Sequence, residues 1–218
     1  MAIYKYMDKY YIVSLILIII SALVGLWLYP QMPNMMPSHW NTAGQIDAYS
    51  PKATTLFAMP IIAFLMLLLF IWLPKADPKQ ENVAFNKPYY QKVVLVLILF
   101  FVYLYALTIA TSMGYSFNMT QFLIPGMGFL FFVLGKQMEK IKQNWFFGVR
   151  VPWTIQNEVV WDKTHKIASK LFKAFGILLI GVGLGLPQYV FVVMMALIIA
   201  IVVFCFIYPY LEWKKLQK

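Results

Sequence analysis

Near its C-terminal end the chain reads VFVVMMALIIAIVVFCFI from Val190 to Ile207, a run without one charged, amide or hydroxyl side chain. About 30 Å of hydrocarbon, crossed at a 1.5 Å rise per residue, takes roughly 20 apolar residues of α-helix. The run therefore reads as the centre of a membrane span from about Gln188 to Tyr208. Just upstream lies a second apolar stretch, about Ala168 to Leu186. Leu186-Pro187-Gln188 separates the two as a hairpin, because Pro187 has no N–H to donate and restricts the residue before it. Four more stretches follow towards the N-terminus: about Phe117–Gly135, Val93–Ser112, Thr54–Leu73 and Tyr11–Leu28. The first of these contains Pro125, Gly126 and Gly128, which predict a kink. Composition agrees: of 218 residues, 62% are hydrophobic and 12% charged, with a mean hydropathy of +0.72. Soluble domains carry about 25% charged residues. The fold class is an all-α polytopic membrane protein with six transmembrane helices.

Charge then predicts orientation. Lys5 and Lys9 precede the first span; Lys75, Lys79, Lys87 and Lys92 follow the second. Lys136, Lys140, Lys142, Arg150, Lys163, Lys166 and Lys170 lie between the fourth and fifth, with Lys173 just inside the fifth, and Lys214, Lys215 and Lys218 close the chain. Six spans put all of these on one side, leaving Lys52 alone on the other. The positive-inside rule makes the rich side cytoplasmic, with both termini there. Tyr10, Trp27, Tyr29, Trp72, Tyr89, Tyr90, Tyr189, Tyr208 and Trp213 fall near span ends, as interfacial aromatics do. The first span is followed by Trp27-Leu28-Tyr29-Pro30 rather than a small-residue cleavage site, so it reads as a retained anchor. The expected organisation is two spans over 1–73 with an extracytoplasmic loop at 30–53, and a cytoplasmic loop at 74–92. Spans three and four follow over 93–135, then a cytoplasmic aromatic and basic segment at 136–167. Spans five and six with a cytoplasmic tail complete the chain at 168–218.

Several function classes drop out. Cys205 stands alone in an apolar run, and His39 and His165 are too few for a histidine-built centre, so no metal and no cofactor is implied. A net charge of +10 and a pI near 9.6 report membrane orientation here, not nucleic acid. Apart from Lys173 near one edge, no Asp, Glu, Lys, Arg or His lies inside a span, which argues against a proton or cation pump. Ser14, Ser21, Thr108, Thr111 and Ser112 read as helix–helix contacts. Gly181, Gly183 and Gly185 include a Gly-x-x-x-Gly pair that lets helices approach closely. No catalytic constellation is present, so an enzyme is not expected.

Two longer connections hold the unusual residues. The outer one runs from Pro30 to Lys52, stiffened by Pro30, Pro33 and Pro37. Asn41-Thr42-Ala43-Gly44 reads as a turn in which Gly44 adopts positive φ. A short hairpin would bring His39-Trp40-Asn41 beside Ile46-Asp47-Ala48, with His39 meeting Asp47. It serves either as an interfacial cap or as a surface for an external partner. The inner segment holds Trp145, Phe146, Phe147, Trp153 and Trp161, an apolar patch that must be packed or partnered. Gly148 allows a tight turn, and Thr154 or Asn157 can cap a helix after Pro152. From there Lys163, Lys166, Lys170 and Lys173 recur at steps of three and four, forming a basic stripe that suits anionic lipid. Arg150 can stack on an aromatic ring, pair with Glu158 or Asp162, or clamp an anion. His165, four residues after Trp161, packs against the indole.

These residues carry a resemblance. The inner run Asn144-x-Phe146-x-Gly148-Val149-Arg150-x-Pro152-Trp153-Thr154, with Asn157-Glu158-x-x-Trp161-x-x-x-His165, resembles the signature of the SdpI family of bacterial membrane proteins. Val151 stands where that family more often has Thr. The outer run Pro37-x-His39-Trp40-Asn41-x-x-Gly44-x-x-Asp47, with Lys52 behind it, resembles the N-terminal domain of unknown function often joined to the family. The resemblance implies a six-span protein of the bacterial plasma membrane that confers immunity to the secreted Sdp toxin peptide. It also implies signalling, in which toxin-occupied protein holds a cytoplasmic repressor at the membrane. On that reading His39, Trp40, Asn41, Gly44 and Asp47 lie near an outer ligand. Asn144, Phe146, Gly148, Arg150, Pro152, Trp153, Thr154, Trp161 and His165 would shape an inner platform. The residues themselves also allow a transporter or envelope-lipid handling protein that uses the same loops as gates, or a subunit of a larger membrane complex.

Overall fold

The computed structural model describes residues 9–217, so Lys5 and Lys218 of the charge argument lie outside the described residues. Helix α1 (Lys9–Leu28) leads into a hairpin of β1 (Met35–Trp40) and β2 (Ile46–Pro51), and α2 (Lys52–Trp72) starts directly from β2. After a 3-10 turn at Leu73–Ala76 come α3 (Gln80–Ser112) and α4 (Met119–Met138). The short α5 (Pro152–Gln156) precedes α6 (Glu158–Gly185), and a 3-10 turn at Pro187–Tyr189 opens α7 (Val190–Lys215). Among the described residues, six helices are long and apolar enough to cross a membrane.

Two helices overshoot the bilayer. The lysine-rich connection after α2 is mostly helical, because α3 starts at Gln80 and continues without a break to Ser112. At 33 residues it is roughly 50 Å long, well beyond the hydrocarbon thickness. Likewise α6 carries Glu158, Asp162, Lys163, His165 and Lys166 in its first turns, and its uncharged stretch begins only at Ala174. These projecting ends build the lysine-rich end of the bundle, where the 139–157 segment folds. The β-hairpin and the short 113–118 loop form the opposite end.

Packing follows the rules of lipid, where burial of apolar surface does not drive helices together and close approach does. Helices α1, α2 and α3 share a core of Ile18, Ala63, Leu67, Tyr90, Val94 and Ile98. Nearer the hairpin they enclose Leu28, Met32, Met36, Leu56, Tyr105 and Ile109. Helix α4 lies along α6 on glycine: a Cβ on Gly128 would sit 2.6 Å from the Gly176 carbonyl, and one on Gly135 2.8 Å from the Lys173 nitrogen. The seam is thus Gly128, Gly135 and Gly176, not the Gly181/Gly185 pair, which has open space around both residues. Gly183 alone of that trio packs, against the Pro125 ring of α4, and α4 is continuous through Pro125. Ser14, Ser21 and Thr108 are buried against neighbouring helices, as expected, but their hydroxyls bond within their own helices. Ser14, Ser21, Thr108, Thr111 and Ser112 donate to the carbonyl four residues back on their own helices. That bond satisfies a hydroxyl in lipid without any neighbour.

Candidate functional site

At the hairpin end, β1 and β2 pair antiparallel with His39 opposite Ala48 and Trp40 opposite Ile46, the register shifting around His39. Asn41 makes the turn: its Oδ1 accepts the N–H groups of Ala43 and Gln45, each at 3.0 Å. Gly44 has φ +77°, the left-handed conformation expected for it. His39 Nδ1 meets Asp47 Oδ1 at 2.5 Å on an exposed surface. Trp40 is half-buried, and every residue of β2 except Ser50 is exposed. Lys52 is tied down, its Nζ bonding the Met32 carbonyl at 3.4 Å and lying 4.8 Å from the Tyr29 ring centre.

The hairpin tip docks on α4, which the sequence did not reveal. Asn118 caps α4 by accepting the N–H groups of Thr120 and Gln121. Its Nδ2 donates to the Ala43 carbonyl at 2.9 Å, while the Met119 N–H reaches the Gly44 carbonyl at 3.3 Å. One amide thus closes a helix and clamps a hairpin tip 75 positions away in sequence. A side chain on Gly44 would overlap Asn118 Oδ1.

At the lysine-rich end the 139–157 segment is a knot held by buried polar side chains. Asn144 uses its whole amide: Oδ1 accepts from Phe146 and Phe147 N–H, and Nδ2 donates to the Lys142 and Phe147 carbonyls. Asp77 accepts from Lys79 N–H at 2.8 Å and Trp145 N–H at 2.9 Å. Asn86 bonds both the N–H and the carbonyl of Lys142. Gln143 donates to the Thr154 and Ile155 carbonyls and accepts from Lys79. Thr154 is buried, its hydroxyl accepting from Val151 N–H and donating to the Val149 carbonyl at 2.8 Å. Asn157, not Thr154, caps the long helix, accepting from Val159 and Val160 N–H.

Trp161 and His165 form the centre of this knot. Their rings stack at 3.9 Å. The indole N–H donates to the Ile141 carbonyl at 2.9 Å. His165 Nε2 accepts the Val149 N–H at 3.0 Å, which leaves the proton on Nδ1, facing the Trp161 carbonyl at 2.8 Å. The ring is therefore neutral and fully bonded. Burial pushes its pKa down to about 4, against the opposing pull of the Trp161 carbonyl. Gly148, at φ +112°, brings the backbone onto this ring, and a side chain there would overlap His165 Nε2.

The remaining motif residues lie on the rim. Arg150 is exposed and donates to the Trp145 carbonyl, and among the described residues it makes no ion pair; Glu158 pairs with Lys79 instead, at 3.6 Å. Pro152 is exposed at the start of α5, Phe146 is half-buried, and Trp153 meets Tyr210 of α7 edge-on at 5.3 Å. The expected basic stripe is divided. Lys163 bonds Glu212 at 2.8 Å and Lys173 bonds Glu139 at 3.4 Å, leaving Lys166 and Lys170 exposed. Hydrogen bonds from Lys163 and Lys215 hold the Glu212 carboxyl below its ordinary range. Sequence reading passed over Asp77, Asn82, Asn86 and Gln143, since their backbone partners lie in distant segments. Among the described residues no three of His, Cys, Asp and Glu converge on a point.

Comparison with known proteins follows the same division. Residues 140–208 match the SdpI/YfhL protein family, and residues 16–73 match a domain of unknown function (DUF1648). The chain is 27% identical over 207 residues to "Immunity protein SdpI" of Bacillus subtilis (strain 168), covering 94% of this chain and 97% of that one. No solved structure matches. The chain is a multi-pass bacterial plasma-membrane protein in which a region similar to DUF1648 precedes one similar to the SdpI/YfhL family.

Proposed function

We propose that this protein is a non-catalytic immunity protein that protects its cell against a secreted peptide toxin. The observation that carries the reading is similarity to an immunity protein along nearly the full length of both chains. The lysine-rich end faces the cytoplasm in this reading, by the positive-inside rule, and the hairpin faces outward. A two-stranded hairpin with an exposed outer strand offers free backbone groups and the exposed side chains of Ile46 and Tyr49 to an extended peptide. His39 and Trp40 border that surface. Asn41 and Gly44 shape its turn, and Asp47 is engaged with His39.

Signalling is the second half of the proposal. The hairpin tip holds the first residues of α4, α4 lies along α6, and both helices end in the Trp161–His165 knot. A toxin that shifts the hairpin therefore has one packed pair of helices through which to reach the inner rim. There Arg150, Trp145, Lys166 and Lys170 are exposed and present a basic, aromatic surface to a cytoplasmic repressor.

The test is protection in a toxin-sensitive bacterium challenged with Sdp-type peptide, following membrane potential and survival at matched membrane levels. Wild type should protect, Tyr49→Ala and Trp40→Ala should lose protection, and Arg150→Ala should keep protection while losing repressor recruitment. Absence of protection by well-expressed wild type would sink the immunity reading for this toxin. Flux through purified protein in vesicles would then support a transporter or lipid-handling protein.

A further inference from the structure

A small cleft opens between α1, α2 and α3, lined by Ser21, Met59, Pro60, Phe101 and Tyr105 among others. It lies on the hairpin side of the membrane, a few helical turns in from the ends of these helices. Its walls are mostly apolar, and polar atoms of all three helices lie at its edge. Tyr105 is buried, and its hydroxyl has no hydrogen-bond partner among the described residues. Pro60, inside α2, has no N–H to give to the carbonyl of Leu56 four residues earlier. Ser21 donates its hydroxyl proton to the Leu17 carbonyl at 2.9 Å, which leaves its lone pairs unused.

Gly25 shows that these groups face one another. It stands one helical turn beyond Ser21 on the same face of α1. The place of its missing Cβ is 2.7 Å from the Tyr105 hydroxyl and 3.2 Å from the Leu56 carbonyl oxygen. A donor and an acceptor, each short of a partner, thus meet at the bare backbone of a third helix. In hydrocarbon an unsatisfied polar group costs several kcal/mol.

We propose that this cleft is a binding site for one water molecule, which accepts from the Tyr105 hydroxyl and donates to the Leu56 carbonyl and Ser21 Oγ. Three polar partners are the usual complement of a buried water. The water completes α2 where proline opens it and ties α1, α2 and α3 together beneath the hairpin. Gly25 lets the Tyr105 hydroxyl and the Leu56 carbonyl approach α1, since a Cβ there would overlap the hydroxyl.

The sign of one substitution tests this. In purified full-length protein, Tyr105→Phe should lower the thermal unfolding midpoint by about 2–4 °C, because it strips the water of its donor. In a Pro60→Ala background the restored N–H takes the Leu56 carbonyl, and Tyr105→Phe should then cost less than half as much. A 13C label on the Leu56 carbonyl gives a reading that needs no variant: its infrared band should lie below that of an ordinary helical carbonyl and shift promptly in D2O. A rise in midpoint for Tyr105→Phe would mean that the hydroxyl is truly unpaired, and would overturn the proposal. So would a Leu56 band at the ordinary helical position that ignores D2O, which would mark the cleft as dry or filled by lipid.

Discussion

The two ends of the molecule solve one problem by different means. Each must hold irregular backbone at a membrane surface. At the lysine-rich end, buried Asn144, Asp77, Asn86, Gln143 and His165 each bond backbone groups of the 139–157 segment. At the hairpin end the ladder of β1 and β2 does most of the holding, and Asn118 adds the tip. A buried polar group that loses its partner costs about 1–3 kcal/mol, whereas an exposed one is rescued by water. The knot at the lysine-rich end is therefore the rigid end, and the hairpin the end that yields more readily.

That contrast can be broken, and the largest effect should come from Gly148→Ala. The new Cβ must displace His165 and sits at positive φ, so a loss of roughly 4 kcal/mol is expected, seen as poor folding yield or a sharply lower midpoint in detergent. A midpoint near wild type would show that the knot yields as readily as the hairpin.

Acid should come next. His165 is neutral when folded, with a pKa near 4, and free histidine titrates near 6.5. Between these values the unfolded chain binds the extra proton, so stability falls as pH drops from about 6.5 to 4. The full window is worth about 3 kcal/mol. Midpoints measured across that range should decline, and His165→Asn should flatten the decline above pH 5, where carboxylates contribute little.

Gly44→Ala tests the other end. Its Cβ would overlap Asn118 Oδ1, so the tip should leave α4 at a cost of about 1–3 kcal/mol. Faster proteolysis within 39–47 with the 144–165 segment still protected would support two separable ends; loss of protection at both would show them coupled. The smallest effect belongs to His39→Ala. An exposed side-chain pair contributes at most about 1 kcal/mol, so the midpoint should scarcely move.

Much of this architecture was legible in the residues. Each of the six spans falls on one helix, closely for α1, α2 and α4, while α3 and α6 begin well before their spans and α7 runs on past its own. The hairpin with its Gly44 turn and His39–Asp47 contact could be read from local chemistry. So could the stacking of Trp161 on His165, which needs only helical spacing. Arg150 shows where that reading fails. Glu158 and Asp162 were near in sequence, but the fold turns Arg150 to the Trp145 carbonyl and gives Glu158 to Lys79. The glycine seam failed similarly, because Gly181 and Gly185 have motif spacing while Gly128 and Gly176, on different helices, make the contact.

What the sequence determined by itself is therefore the set of segments that cross the membrane and the turn chemistry between them. Hydrocarbon thickness and backbone desolvation act on each segment separately, so neither needs a neighbour to be known. Only the tertiary structure decided which helices touch and which distant backbone groups Asn86, Asn118 and Asp77 satisfy. In lipid the inward and outward faces of a helix are equally apolar, so no hydrophobic stripe announces the partner. Close approach and completed hydrogen bonds choose it, and both become visible only when the helices are side by side.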